Sequence, residues 1–134
     1  MILFVDDERR HISSYVTELE ELGYTVVCEN SVDQALQFLD RNRSNLKLII
    51  LDIMMPPGQA FKKLDTDEGR RTGVFFFERV KERAPELPVI VLTNVADDEL
   101  MDRLRDEKNC WYFQKKHYLP YEIAQEVKRI YPLG

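Results

Sequence analysis

Apolar residues recur along this chain in two alternating rhythms. Short continuous apolar runs, each stopping at a polar residue, alternate with segments whose apolar positions recur every three or four residues. "MILFV" at the start reads as a buried strand that stops at Asp6-Asp7. Ile12, Tyr15, Val16, Leu19 and Leu22 then mark one face of a helix, which Gly23 closes as a C-terminal glycine does. "YTVVCE" is a second strand. Ser31, with Gln34 three residues on, is a capping-box signal for a helix carrying Ala35, Leu36 and Leu39 inward. "LKLIILD" is apolar on both faces, as a central parallel strand is.

The rhythm breaks from Ile53 to Thr72, where Pro56, Pro57, Gly58 and Gly69 punctuate a segment without periodicity. It resumes with a helix in "GVFFFERVKERAP", a fourth strand in "LPVIVLT", and a strongly charged helix in "DDELMDRLRDEK". The last has only a thin apolar stripe at Leu100, Met101 and Leu104. "CWYFQK" is a fifth strand. "PYEIAQEVKRIY" is the final helix, with Pro120 in its first turn and Ile123, Val127 and Ile130 facing inward. Five strands alternating with five helices imply an α/β fold, a parallel sheet covered on both faces. Right-handed crossovers make the doubly wound sheet the simplest topology. Residues 1–134 are expected to form a single domain with an inserted loop at about 57–72, no internal repeat and no output domain.

Bulk properties narrow the function classes. A length of 134 residues suits one core, and 44% hydrophobic with 32% charged residues suits a globular chain. A net charge of -5 disfavours nucleic acid as the main partner. No apolar run approaches the roughly 18 residues a membrane span needs, and the acids at Asp6, Asp7 and Glu8 come too early for a signal peptide. A cytoplasmic location without membrane partners is the expectation. Cys28 and Cys110 lack metal-ligand spacing and sit in strand-like runs, so both are expected to be reduced core thiols.

The polar residues that end the strands carry the chemistry. Asp6 and Asp7 end the first, Asp52 the third, Thr93 the fourth and Lys115 the fifth. In a parallel sheet these ends share one edge, the edge where open α/β sheets bind ligands. Clustered carboxylates repel: at an effective dielectric near 20, two unit charges about 4 Å apart interact by about 4 kcal/mol. Lys115 supplies one positive charge, and a divalent metal would supply two more. An all-oxygen site favours Mg²⁺ over zinc. A carboxylate beside such cations, with a hydroxyl nearby, is equipped to accept a phosphoryl group as nucleophile.

"ILFVDDE", "LIILDIMMP", "VIVLTN" and "YFQK", in that order and at those strand ends, resemble the four signature stretches of response-regulator receiver domains over essentially the whole chain. The resemblance implies a flavodoxin-like sheet of order 2-1-3-4-5, which would put Cys28 and Cys110 on opposite edges. It implies that Asp52 accepts phosphate from the phosphohistidine of a histidine kinase or phosphotransfer protein. Asp7 and Asp52 would bind Mg²⁺ directly with the backbone carbonyl of Met54, and Asp6 mainly through water. Lys115 would hold the phosphoryl oxygens, Thr93 would hydrogen-bond the phosphoryl group, and Tyr112 takes the place of the aromatic switch residue. The chain would act as a slowly autodephosphorylating switch on a downstream protein partner rather than as a turnover enzyme. It departs from the family at Lys116, where a proline usually follows the lysine, at Asn94, where a small residue is usual, and in the length of the loop after Asp52.

Plainer readings stand beside these. Asp6 or Asp7 could cap the first helix and Thr93 the fourth. Lys115 could be a solvated lysine, and Tyr112 a packing residue. His11 and His117 are isolated and suit the surface. "DTDEG" at Asp65–Gly69 resembles the start of a calcium loop but lacks the glutamate at its twelfth position, which is Phe76. A pseudo-receiver that only binds protein is the main alternative function. A haloacid-dehalogenase-type phosphatase is disfavoured because Met54 stands where its second aspartate belongs. The loop mixes Lys62, Lys63, Arg70 and Arg71 with Asp65, Asp67 and Glu68. It reads either as a tolerated insertion or as a lid or docking surface beside Asp52.

Overall fold

The computed structural model describes residues 1–53, 58–59, 72–94 and 98–134, the side chains of Arg9, His11, Glu99 and Leu100 excepted. The expected metal contact at Met54, most of the 57–72 loop with its charged residues, the apolar stripe position Leu100 and the surface position of His11 therefore lie outside the described residues.

Five parallel strands stand in the order β2 (Val26–Glu29), β1 (Ile2–Val5), β3 (Leu48–Leu51), β4 (Val89–Thr93), β5 (Cys110–Gln114). This is the doubly wound order expected from the resemblance. Residues of β1 and β3 are wholly buried, which explains their uninterrupted apolar sequence, whereas the edge strand β2 is half-buried throughout. Cys28 lies on one edge strand and Cys110 on the other, both half-buried and neither in a disulfide.

The helices divide between the two faces. α2 (Val32–Asn42), α3 (Thr72–Arg83) and α4 (Asp98–Arg105) cover one, where Leu36, Leu39, Phe76, Val80 and Leu104 pack on Ile49, Leu51 and Val91. α1 (Arg9–Glu21) and α5 (Pro120–Ile130) cover the other, where Ile12, Leu19, Ile123 and Val127 pack on Phe4, Ile50 and Leu92. β5 shows the alternation of a strand between two layers: Cys110 and Tyr112 pack toward the first cluster, Trp111 and Phe113 toward the second.

Ser31 and Gly23 bound helices where the sequence places them, Ser31 through a single side-chain bond. Ser31 caps α2 by accepting the Gln34 N–H at 3.2 Å. Gly23 ends α1 with φ +99°, donating its N–H to Glu20 O at 2.9 Å. Glu122 reaches back to accept the Leu119 N–H at 2.9 Å, fixing the start of α5. Most strands are a residue or more shorter than the apolar runs that mark them, and helix ends shift as well. α4 ends at Arg105 rather than running to Lys108, because Asn109 turns the chain into β5 with φ +60°. α3 begins at Thr72, one residue earlier than the periodicity indicates. Lys115 is not in the fifth strand but opens a short 3-10 turn, Lys115–His117, closed by the Tyr118 N–H on Lys115 O at 3.3 Å. No helix among the described residues is long and apolar enough to cross a membrane.

Candidate functional site at the C-terminal edge of the sheet

Register places the strand ends side by side. Val5 is level with Leu51, so the residues that follow, Asp6 and Asp52, leave the sheet as neighbours. Thr93 is level with Gln114, so Lys115 stands one position beyond Thr93. The Asp52 N–H still donates to Val5 O at 3.0 Å, which fixes the backbone of that residue to β1.

Lys115 closes the cluster. Its Nζ lies 2.8 Å from Asp6 Oδ2 and 3.3 Å from Asp52 Oδ2. The lysine side chain is 9% exposed, Asp6 1% and Asp52 13%, so this is a bridge removed from water rather than a surface ion pair. Turning out of β5 is what lets one ammonium reach both carboxylates. Burial alone would lower the Lys115 pKa, but Asp52 and then Asp6 outweigh it and hold it above the ordinary lysine value. Asp6 is doubly held, because its Oδ1 accepts the Glu8 N–H at 2.9 Å. Neither Asp6 nor Asp7 caps the first helix, as the plainer reading had it: Glu8 is the N-cap residue of α1, without a side-chain cap, and Asp6 holds only the Glu8 N–H just before the helix.

Asp7 is exposed, and its pKa is raised, first by loss of solvent and then by the negative charge of Asp6, with smaller contributions from Glu8 and Asp52. One lysine therefore leaves unbalanced negative charge on this edge. Among the described residues no three His, Cys, Asp or Glu side chains stand close enough to hold a metal between them. The donors that Asp6, Asp7 and Asp52 present are hard carboxylate oxygens, the donor type that suits Mg²⁺, and the excess negative field at Asp7 is of the sign a divalent cation relieves.

Thr93 is fully buried at the end of β4. Tyr112 is half-buried and packs against the core on the α2–α4 face, level with Val91. A cavity of about 390 Å³ opens beside Lys115, lined by Arg10, Ser14 and Tyr15 of α1 together with Asn94 and Lys116. Both residues at which the chain departs from the family pattern therefore border the same opening. The described peptide bonds around Lys116 are trans.

Two supporting residues escaped the sequence reading. Gly73 donates its N–H to Ile53 O at 2.8 Å, and a β-carbon there would lie 2.1 Å from Ile53 Cα and 2.8 Å from Asp52 O. Only glycine lets α3 start against the backbone that carries Asp52. Its place at the end of an irregular stretch and the start of a helix was the available signal. Asp33, in the first turn of α2, accepts the Gln59 N–H at 2.8 Å. A lone aspartate in a first turn gives no sequence sign of a partner so far along the chain.

Comparison with known proteins bears on the family and the fold. A family model described as the response regulator receiver domain matches residues 2–128. The chain is 28% identical over 130 residues to the alkaline phosphatase synthesis transcriptional regulatory protein PhoP of Bacillus subtilis. That alignment takes in 96% of this chain but 47% of PhoP, so the chain spans about half of that relative's length. Among solved structures, a response regulator from Thermotoga maritima superposes with a TM-score of 0.73 at 21% identity, covering 96% of this chain and 94% of that one. A CheY-like response regulator receiver domain protein from Methanospirillum hungatei gives 0.72 at 22% identity, covering 96% and 90%. With the family pattern matched over nearly its full length and the strand order to go with it, the chain belongs to the response regulator receiver domains of two-component systems.

Proposed function

We propose that Asp52 is the phosphoacceptor of this receiver, taking a phosphoryl group from the phosphohistidine of a histidine kinase or phosphotransfer protein and thereby switching the binding of a downstream protein. The observation that supports this most is the Lys115 ammonium set between Asp6 and Asp52 at the sheet edge, at 2.8 Å and 3.3 Å. A structural salt bridge needs one carboxylate; two carboxylates sharing one buried ammonium leave a charge imbalance suited to a cation and an incoming anion.

Asp52 contributes a carboxylate oxygen that forms the new O–P bond as the P–N bond to the donor imidazole breaks, its electron pair staying with the nitrogen. Lys115 exchanges carboxylate contacts for the phosphoryl oxygens, and the Thr93 hydroxyl donates to one of them. Asp6, Asp7, Asp52 and the Met54 carbonyl would hold Mg²⁺, which when bound neutralises charge on the transferring oxygens. The cavity beside Lys115 leaves this edge open for the donor between α1 and the turns that follow β4 and β5. Water attack on the aspartyl phosphate later restores the carboxylate, making the chain a self-resetting switch rather than a turnover enzyme. A protein rather than nucleic-acid partner for these residues fits the net charge of -5, and a cytoplasmic setting belongs to the same proposal.

Intact mass after incubation with acetyl phosphate and Mg²⁺ tests the assignment. One phosphate on the wild-type chain and none on Asp52→Ala is expected, with both variants folded. Phosphate on Asp52→Ala would move the acceptor elsewhere. No adduct on either would favour a phosphorylation-independent binding module, and rapid multiple turnover a phosphatase.

A further inference from the structure

The cavity of about 390 Å³ beside Lys115 is lined by three cations, Arg10, Lys115 and Lys116, and by no carboxylate. In a chain of net charge -5 that is a local reversal of sign. Lys115 belongs to both neighbourhoods: its Nζ lies 3.3 Å from Asp52 Oδ2, while Asp6, Asp7 and Asp52 do not line the cavity. Helix electrostatics does not explain the other two cations. Basic side chains are favoured at helix C-termini, where they offset the dipole. Arg10 stands instead in the first turn of α1, which holds no acid, and Lys116 lies in the turn ahead of α5. Among the described residues neither side chain has an ion-pair partner.

Tyr15 is a separate sign of a ligand. It lines the same cavity, is only 8% exposed, and packs its ring near Phe4 with centroids 6.2 Å apart. Its hydroxyl makes no hydrogen bond among the described residues. Beyond the effect of burial, Lys115 favours ionisation of the phenol and Asp6 opposes it, so the hydroxyl feels both charges of the site. A buried hydroxyl without a partner, beside cations, is placed to donate to an anion.

We infer that this cavity is a leaving-group subsite of the phosphoryl-transfer site, holding the carboxylate of a small acyl phosphate through Arg10, Lys116 and the Tyr15 hydroxyl. The inference rests on the receiver reading of Asp52. An Asp52 oxygen forms the new O–P bond while the P–O bond to the acyl oxygen breaks. The electron pair leaves with that oxygen as a carboxylate, and no proton moves. Negative charge therefore develops on the leaving oxygen, and cations fixed where it develops lower the barrier. Phosphoramidate reacts at the same acceptor, but its protonated nitrogen keeps the P–N electron pair and leaves as neutral ammonia. It gains nothing from cations at the leaving group. The plainer role for Arg10 and Lys116 is general attraction of anionic donors, which salt screens.

The test uses the full chain with Mg²⁺ and either acetyl phosphate or phosphoramidate, reading initial rates of adduct formation by intact mass. Rates are taken at about 0.1 M and about 1 M salt, between which the screening length falls from about 10 Å to about 3 Å. The acetyl phosphate to phosphoramidate rate ratio should fall about tenfold in Arg10→Ala and in Lys116→Ala at both salt levels, the scale of one lost charge-assisted hydrogen bond. Tyr15→Phe keeps the ring and every charge, and should lower the ratio about threefold, the scale of one neutral hydrogen bond. Ratios equal to wild type in all three variants would overturn the subsite. So would a parallel fall in both rates, or a change confined to low salt, the mark of general attraction. A wild-type chain charged by phosphoramidate alone overturns the subsite and leaves the receiver reading standing. One charged by neither donor overturns both.

Discussion

Lys115 and Asp7 show how single residues on this edge carry opposite electrostatic signs of the same problem. Lys115 is stabilised in its charged form by two carboxylates; Asp7 is destabilised in its charged form by its neighbours. An aspartate whose folded-state pKa is raised opposes folding wherever it is ionised. That opposition is full above the folded pKa and vanishes below the ordinary aspartate value. With Mg²⁺ removed by chelator, Asp7→Asn should therefore unfold at a higher temperature than wild type at neutral pH, and the difference should close as pH falls through the aspartate range. With Mg²⁺ added, wild type should gain thermal stability by linkage, and Asp7→Asn should gain less than Asp6→Asn. Equal Mg²⁺ responses in wild type and Asp7→Asn would place the metal elsewhere. These residues were legible in the sequence because each ends an apolar run, and parallel strands collect such ends on one edge. Asp33 was not, because its partner is a backbone N–H in a segment without periodicity.

At the scale of elements, the alternating rhythm located all five strands and five helices, and the errors fall at element ends. Burial writes itself into sequence as periodicity, so β1, β3 and β4 read clearly. Turns depend on single backbone conformations, such as Asn109 in the left-handed region and the tight turn at Lys115, and leave little pattern. The junction of β3 and α3 is the most demanding of these. Gly73 sits where a β-carbon would meet backbone, Ile53 Cα at 2.1 Å, rather than a side chain that can swing away. Gly73→Ala must push α3 off the end of β3. It should destabilise the fold by about 1–3 kcal/mol in urea unfolding and also slow phosphate uptake, since the displaced backbone carries Asp52. Gly23, whose added β-carbon would meet only a Leu133 side-chain atom at 3.4 Å, is a control for space, though not for its φ of +99°. An unchanged urea midpoint in Gly73→Ala would show that the junction yields.

The whole molecule poses the remaining question, the long connection after the phosphoacceptor. αβ and βα connections usually run about 2–6 residues, and this one is far longer. Its two ends are nonetheless in contact, for the Gly73 N–H bonds Ile53 O at 2.8 Å. Among the described residues, nothing in the sheet or its covering helices requires the extra length, because the chain has already returned to its starting point. Replacing the segment between Met55 and Val74 by a short "PGTG" turn should therefore preserve the fold. Loop closure grows as the logarithm of length, so removing roughly two doublings should favour the folded state by about 1 kcal/mol, offset in part by the lost Asp33–Gln59 bond. The shortened chain should still take up phosphate, because Asp6, Asp52, Thr93 and Lys115 all lie outside the cut. It should differ from wild type in how long it holds that phosphate or in how it binds its downstream protein. Adduct decay by intact mass and calorimetric titration against that partner, once a pull-down has identified it, decide the matter. A shortened chain equal to wild type in both would mean that the insertion is tolerated length, and that access to Asp52 is set by the cavity between α1 and Lys115 alone.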